Sequence, residues 1–169
     1  MTIICYRAGV MASDSCWSTY GTQTVSAIKI IRLSSGALLG SSGDNDARAI
    51  YDLLDKIRDP KKLPSRAELA ATKIDYEGLI AFPKGGVYMV VTGHHDETGY
   101  PTAEGDCGVW QATSMGGYAA CGSGGDIALA AMDAGATAKE AALIACRRNI
   151  YCRPPVHVMK LHPNTPKKK

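Results

Sequence analysis

ACGSGGDIALAAMDAGATAKEAALIAC, residues 120–146, is the stretch that decides the fold. Gly117 to Cys121 reads as a strand. Gly122-Ser123-Gly124-Gly125 then turns the chain into a helix rich in small residues. That helix is expected to run to about Ala134, with Gly135 as its C-terminal stop. Thr137-Ala138-Lys139-Glu140 is a capping box, in which Thr137 caps and Glu140 reaches back. It starts a second helix that ends near Asn149. A last strand is predicted over Val156 to Leu161.

Toward the N-terminus the chain is built from hairpins. Thr2 to Tyr6 and Val10 to Asp14 read as two strands joined at Arg7-Ala8-Gly9. Asp14 to Thr24 is polar and turn-like. Val25 to Leu33 is β-branched and apolar apart from Lys29 and Arg32, so a strand is predicted there, returning over Ala37 to Ser41 after Ser34-Ser35-Gly36. Ala47, Ile50, Leu54 and Ile57 stand at helical spacing and predict a helix over 44–58, capped by Ser42 or Asp44 and stopped by Asp59-Pro60. A short helix is expected at Arg66 to Ala71. Strands are predicted next at Leu79 to Phe82, Val87 to Thr92 and Gly108 to Ala112, with a polar loop over 94–105. Strands in hairpins with grouped helices indicate an α+β fold. One domain is expected over 1–163, with a basic disordered tail over 164–169.

Composition narrows the function classes. The 169 residues are 46% hydrophobic and 21% charged, values typical of a globular domain. The net charge of +3 equals the contribution of Lys167, Lys168 and Lys169, so it argues for no nucleic-acid partner. No apolar run reaches the roughly 20 residues that span a bilayer, and the N-terminus lacks the parts of a secretory signal. Cys5, Cys16, Cys107, Cys121, Cys146 and Cys152 form no CxxC pair and no zinc spacing. They are expected to be reduced, buried thiols in a cytoplasmic protein.

Several residues carry possible chemistry. Methionine before a small residue is normally removed, so Thr2 would carry both a hydroxyl and a free α-amine. An α-amine titrates at about 7.7–8.0 and can take the hydroxyl proton near neutral pH. Lys29 interrupts a β-branched strand, and a buried ammonium needs a partner. Asp14 is one candidate, while the simplest local reading is an edge strand with Lys29 facing solvent. Ser41-Ser42-Gly43-Asp44 is a strand-to-helix turn whose N–H groups could hold an oxyanion or simply start a helix. The GSGG turn could hold phosphate, but it lacks the P-loop Lys and the full dinucleotide pattern. His94-His95-Asp96-Glu97 has metal-ligand residue types and reads as a solvated loop. His157 and His162 read as structural or exposed, and Cys5 as a small buried residue with no paired His. No metal or cofactor is expected.

In their order and spacing these features resemble the proteasome β-subunits, and especially the bacterial HslV-type peptidases, over nearly the whole chain. The resemblance rests on Thr2 opening a hairpin, on Asp14 ending its second strand, and on Lys29 ahead of Arg32-Leu33. It rests also on Gly43-Asp44 before the first helix and on ACGSGG leading into the paired helices. Relative to that family the first hairpin is shorter by an even number, a parity that keeps Thr2 opposite Asp14.

The resemblance implies a four-layer αββα sandwich, two antiparallel sheets flanked by helices. It implies Thr2 as nucleophile, Lys29 tuning it, Asp14 fixing Lys29, Gly43 as oxyanion donor, and Ser123 orienting the amine or a water. It further implies a peptide or unfolded-protein substrate, a ring-shaped homo-oligomer and an ATPase unfoldase partner. Two departures stand beside it. An alternative alignment puts Met1 on the nucleophile position, which gives an inactive relative with an assembly or binding role. The family's acidic residue after the last long helix is absent, since the chain there reads Cys146-Arg147-Arg148-Asn149, with Asn149 as a possible substitute hydrogen-bonding group.

Overall fold

The computed structural model describes residues 2–19, 22–24, 27–43, 48–92, 107–112 and 117–162. The first hairpin pairs β1 (Ile4–Arg7) with β2 (Val10–Ser13) around Ala8 and Gly9. On its two sides lie β10 (Tyr118–Cys121) and β11 (His157–Lys160), giving a four-stranded antiparallel sheet in the order β10-β1-β2-β11. A second antiparallel sheet has the order β5-β6-β7-β8-β9, formed by Ile30–Arg32, Leu38–Gly43, Tyr76–Phe82, Gly86–Thr92 and Gly108–Gln111.

Alternation along β1 and its lead-in residue explains the stacking. Ile3 and Cys5 point one way, into a core with Ala128, Met132, Ala141 and Ala145 of the paired helices α3 (Gly125–Asp133) and α4 (Ala138–Arg148). Ile4 and Tyr6 point the other way, against Ile30, Leu38 and Leu79 of the second sheet. That sheet's far face, with Leu39 and Ile80, packs on Ile50 and Leu54 of α1 (Arg48–Asp55) and Leu69 of α2 (Arg66–Ala70). The layers are therefore helices, sheet, sheet, helices, as the resemblance implies.

The 120–146 stretch forms its elements from local signals. Thr137 accepts from the Glu140 N–H and Glu140 reaches back to the cap backbone. Ala138, Ala141, Ala142, Ala145 and Cys146 make one buried stripe on α4. Small side chains let the helices sit close: a Cβ placed on Gly124 would lie 3.3 Å from Ala145 Cβ and 3.1 Å from Ile3 Cβ.

Two stretches differ from the expectation. Trp17–Thr19 and Thr22–Thr24, expected as polar turn, pair as a small hairpin, β3 and β4, because β-branched threonines suit a strand as well as a loop. The strand expected from Val25 begins only at Ile30, since Ala27 N–H donates to the Ser15 carbonyl instead. Val25 itself lies outside the described residues, as do Asp44, Ala47, the loop with His94 to Glu97, and the tail from Pro163.

Candidate active site

The site lies where β1 begins, at the end of the sandwich near the turn from β10 into α3. Thr2 is buried at 4% exposure. Its Oγ1 accepts a hydrogen bond from Lys29 Nζ at 2.7 Å. Lys29 leads into β5, which is an edge strand of its sheet, but its side chain is buried rather than solvent-facing. A buried ammonium is tolerated only when paired, and Lys29 Nζ lies 2.8 Å from Asp14 Oδ1.

Asp14 is fully buried, and both of its oxygens are engaged. Oδ1 accepts from Ile3 N–H at 3.1 Å as well as from Lys29. Oδ2 accepts from Cys16 N–H at 3.0 Å and Arg153 N–H at 3.2 Å. Four donors around one carboxylate offset the cost of burying it. The hairpin register puts Asp14 across from Ile3, not from Thr2: Ile4 faces Ser13, and Asp14 N–H donates to the Ile3 carbonyl at 3.3 Å. Lys29 is what joins Thr2 to Asp14.

The other side of Thr2 meets the glycine turn. Thr2 N–H donates to Ser123 Oγ at 3.1 Å, and the Ser123 hydroxyl lies 3.3 Å from the Thr2 carbonyl. Gly124 N–H donates to that same carbonyl at 3.1 Å. Gly122 has φ +83, and a Cβ on it would sit 2.4 Å from the Thr2 carbonyl oxygen, so both backbone conformation and space demand glycine. Gly125 N–H donates to the Gly122 carbonyl and Gly122 N–H to Glu77 Oε2. These turn amides face protein acceptors, one of them a carboxylate, which removes the basis for a phosphate-binding reading.

Gly43 stands at the end of β6, across from Tyr76. Its neighbour Ser42 comes near the turn, with Oγ 3.4 Å from where a Gly122 Cβ would be. Asn149 caps α4; its Nδ2 donates to the Ser123 carbonyl, and its Oδ1 accepts from Tyr151 N–H at 2.8 Å. Glu77 is the site neighbour that sequence reasoning misses. Burial raises its carboxyl above the usual range, an effect partly offset by the Gly122 N–H and reinforced by Asp75.

Burial disfavours the thiolate of Cys5, Cys107, Cys121, Cys146 and Cys152. Burial pushes Cys5 up to about 12, Cys146 to about 12 and Cys152 to about 11. Cys5 Sγ donates to the Ala138 carbonyl at 3.1 Å. Among the described residues no group of three or more His, Cys, Asp or Glu is placed to hold a metal, and no helix is long and apolar enough to cross a membrane.

Solved structures share this arrangement of elements. Eukaryotic HslV from Trypanosoma brucei superposes with a TM-score of 0.61 at 18% identity, covering 94% of this chain and 98% of its own. The chain has the HslV fold. BPH from Thiobacillus denitrificans in complex with epoxomicin matches with a TM-score of 0.60 at 21% identity, over 96% of this chain and 99% of its own. The BPH structure described without that ligand gives a TM-score of 0.59 at 21% identity over the same shares. No family model matches the chain, and no curated protein does. Within the HslV fold, Thr2, Lys29, Asp14 and Ser123 are joined by direct hydrogen bonds around the start of β1.

Proposed function

We propose that this chain is an N-terminal threonine peptidase of the HslV and proteasome type, with Thr2 as its nucleophile after Met1 is removed. The observation that carries the proposal is the 2.7 Å contact between Thr2 Oγ1 and Lys29 Nζ, with that ammonium held by buried Asp14. An ammonium beside a hydroxyl favours its alkoxide and leaves the oxygen lone pairs available for attack. The freed Thr2 amine, directly or through a water, takes the hydroxyl proton. Ser123 Oγ, now 3.1 Å from Thr2 N, orients that amine.

Thr2 Oγ1 attacks a peptide carbonyl carbon and forms a tetrahedral oxyanion, which the Gly43 N–H is proposed to receive. Collapse breaks the C–N bond; the leaving amine takes the proton, and an ester to Thr2 remains. Water then cleaves the ester and returns the hydroxyl. The substrates are peptides or unfolded protein. By the same resemblance the protein works as a homo-oligomeric ring fed by an ATPase unfoldase, in the cytoplasm.

A second reading, an inactive relative with an assembly or binding role, draws on one observation: α4 ends in Arg147 and Arg148 with Asn149 as its cap, and none of the three is a carboxylate. Intact mass and peptide cleavage separate the two. Loss of Met1, turnover of a short fluorogenic peptide and abolition of turnover in Thr2→Ala are expected. An epoxomicin adduct on Thr2 is expected as well. Retained Met1, or equal cleavage by Thr2→Ala, would refute the Thr2 mechanism.

A further inference from the structure

We propose that Glu77 is a positioning residue, which holds the Gly122-Ser123 turn against Thr2 by accepting the Gly122 N–H across the two sheets. The proposal rests on the Thr2 reading for its kinetic readout and on geometry for the rest. Glu77 belongs to β7, in the five-stranded sheet, opposite Ser42 of β6. It lies two residues before Leu79, which packs between the sheets, so its side chain leaves β7 on the same inner face. Gly122 comes directly after β10, in the other sheet, and the β10–β1 pairing ends at Cys121 opposite Ile4. Just past the end of that ladder, Gly122 N–H finds Glu77 Oε2 at 3.1 Å.

The next residue, Ser123, makes this contact consequential. Its Oγ is bracketed by Thr2 N at 3.1 Å and the Thr2 carbonyl at 3.3 Å. Gly122 already approaches the Thr2 carbonyl so closely that no Cβ fits. A shift of a few tenths of an ångström in this turn therefore moves the Ser123 hydroxyl off the Thr2 nitrogen. Asn149 holds the Ser123 carbonyl from the helix side, and Glu77 holds the preceding amide from the opposite sheet. A side-chain carbonyl or carboxylate oxygen accepts an N–H well, and a partly buried polar side chain is costly unless its bond is made. Glu77 is also the one charged residue of its strand, YEGLIAF.

The test uses the full-length protein with Glu77→Ala, Glu77→Met and Glu77→Gln. Met fills the space without a strong acceptor, and Gln retains a carbonyl that accepts. Steady-state kinetics on a fluorogenic peptide are read beside hydrogen exchange of the segment 120–125, with a thermal melt to confirm folding. Glu77→Ala and Glu77→Met are expected to lower kcat by about ten-fold with KM within two-fold. They should also speed exchange at Gly122. Glu77→Gln is expected to restore both. Unchanged kcat and unchanged exchange in the folded Met variant would overturn the assignment, as would a Gln variant impaired as much as Met. If wild-type cleavage survives Thr2→Ala, the peptidase reading falls, while exchange at Gly122 still decides the role of Glu77.

Discussion

Replacing Lys29 by Met removes an ammonium that touches Thr2 Oγ1 at 2.7 Å and Asp14 Oδ1 at 2.8 Å, both within the buried interior. Two losses result and are separately measurable. For stability, Asp14 becomes a buried carboxylate without its counter-ion. Removing one partner of a buried pair costs about 3–5 kcal/mol. Asp14 keeps the N–H groups of Ile3, Cys16 and Arg153, so the lower end, about 3 kcal/mol, is expected. With urea slopes of about 1–3 kcal/mol/M, the unfolding midpoint falls by roughly 1–3 M. For chemistry, under the proposed mechanism, loss of the cation that stabilises the developing Thr2 alkoxide is expected to cost about 10²–10³ in kcat. Adding Asp14→Asn to Lys29→Met should recover part of the stability, because no unpaired charge remains, and none of the activity. Urea denaturation of the single and double variants, alongside peptide turnover, measures both terms. A Lys29→Met variant with unchanged midpoint and unchanged kcat would refute the reasoning.

The turn and the thiols lead to further outcomes. Gly122→Ala meets both a φ of +83 and a backbone oxygen at 2.4 Å, whereas Gly135→Ala meets φ +99 with nothing within 4 Å. Strain from φ alone is about 1–2 kcal/mol, so thermal melts should show Gly135→Ala losing about that much and Gly122→Ala clearly more, with turnover lost only in the latter. Asn149→Ala removes the donor to the Ser123 carbonyl and should lower kcat about five-fold at unchanged KM, measured on a short peptide. Cys5 titrates at about 12 against an ordinary 9.0, because burial disfavours its thiolate. Its folded pKa is raised, so its contribution to stability is complete below pH 9.0 and is lost as pH rises toward about 12. Urea midpoints across that window should fall, and Cys5→Ala should reduce the slope.

Much of the fold is legible where the signal is local. The Thr137-Glu140 capping box, the Gly135 stop and the small-residue faces of α3 and α4 are all written within 120–146. The first hairpin is legible for the same reason. Local pattern cannot supply the partner of a buried charge. Lys29 alone favours an exposed edge, and only the three-dimensional arrival of Asp14 and Thr2 turns it inward. Glu77 carries a comparable signal, a lone carboxylate in an apolar strand. The pattern hides it because the apolar run places the strand's start at Leu79, whereas the strand begins at Tyr76. Asn149 stands out by its place after α4, but that its amide reaches the Ser123 carbonyl depends on helix packing. The parity of the hairpin predicts Thr2 opposite Asp14, but the register puts Asp14 across from Ile3, and Lys29 makes the link to Thr2.

Asp14 accepts from Arg153 N–H, 139 residues further along the chain, and Thr2 N–H reaches Ser123, 121 residues away. During synthesis, Thr2 emerges long before Ser123 and Arg153, which complete its surroundings. Contacts of such long separation form late in folding. A ribosome-bound or truncated chain that lacks the α4 end and the segment after it would hold Thr2 without a settled Asp14 or an anchored Ser123. Under the proposed mechanism, destructive capacity is thus withheld until the whole domain has closed, which protects the nascent protein and its neighbours without a separate inhibitor.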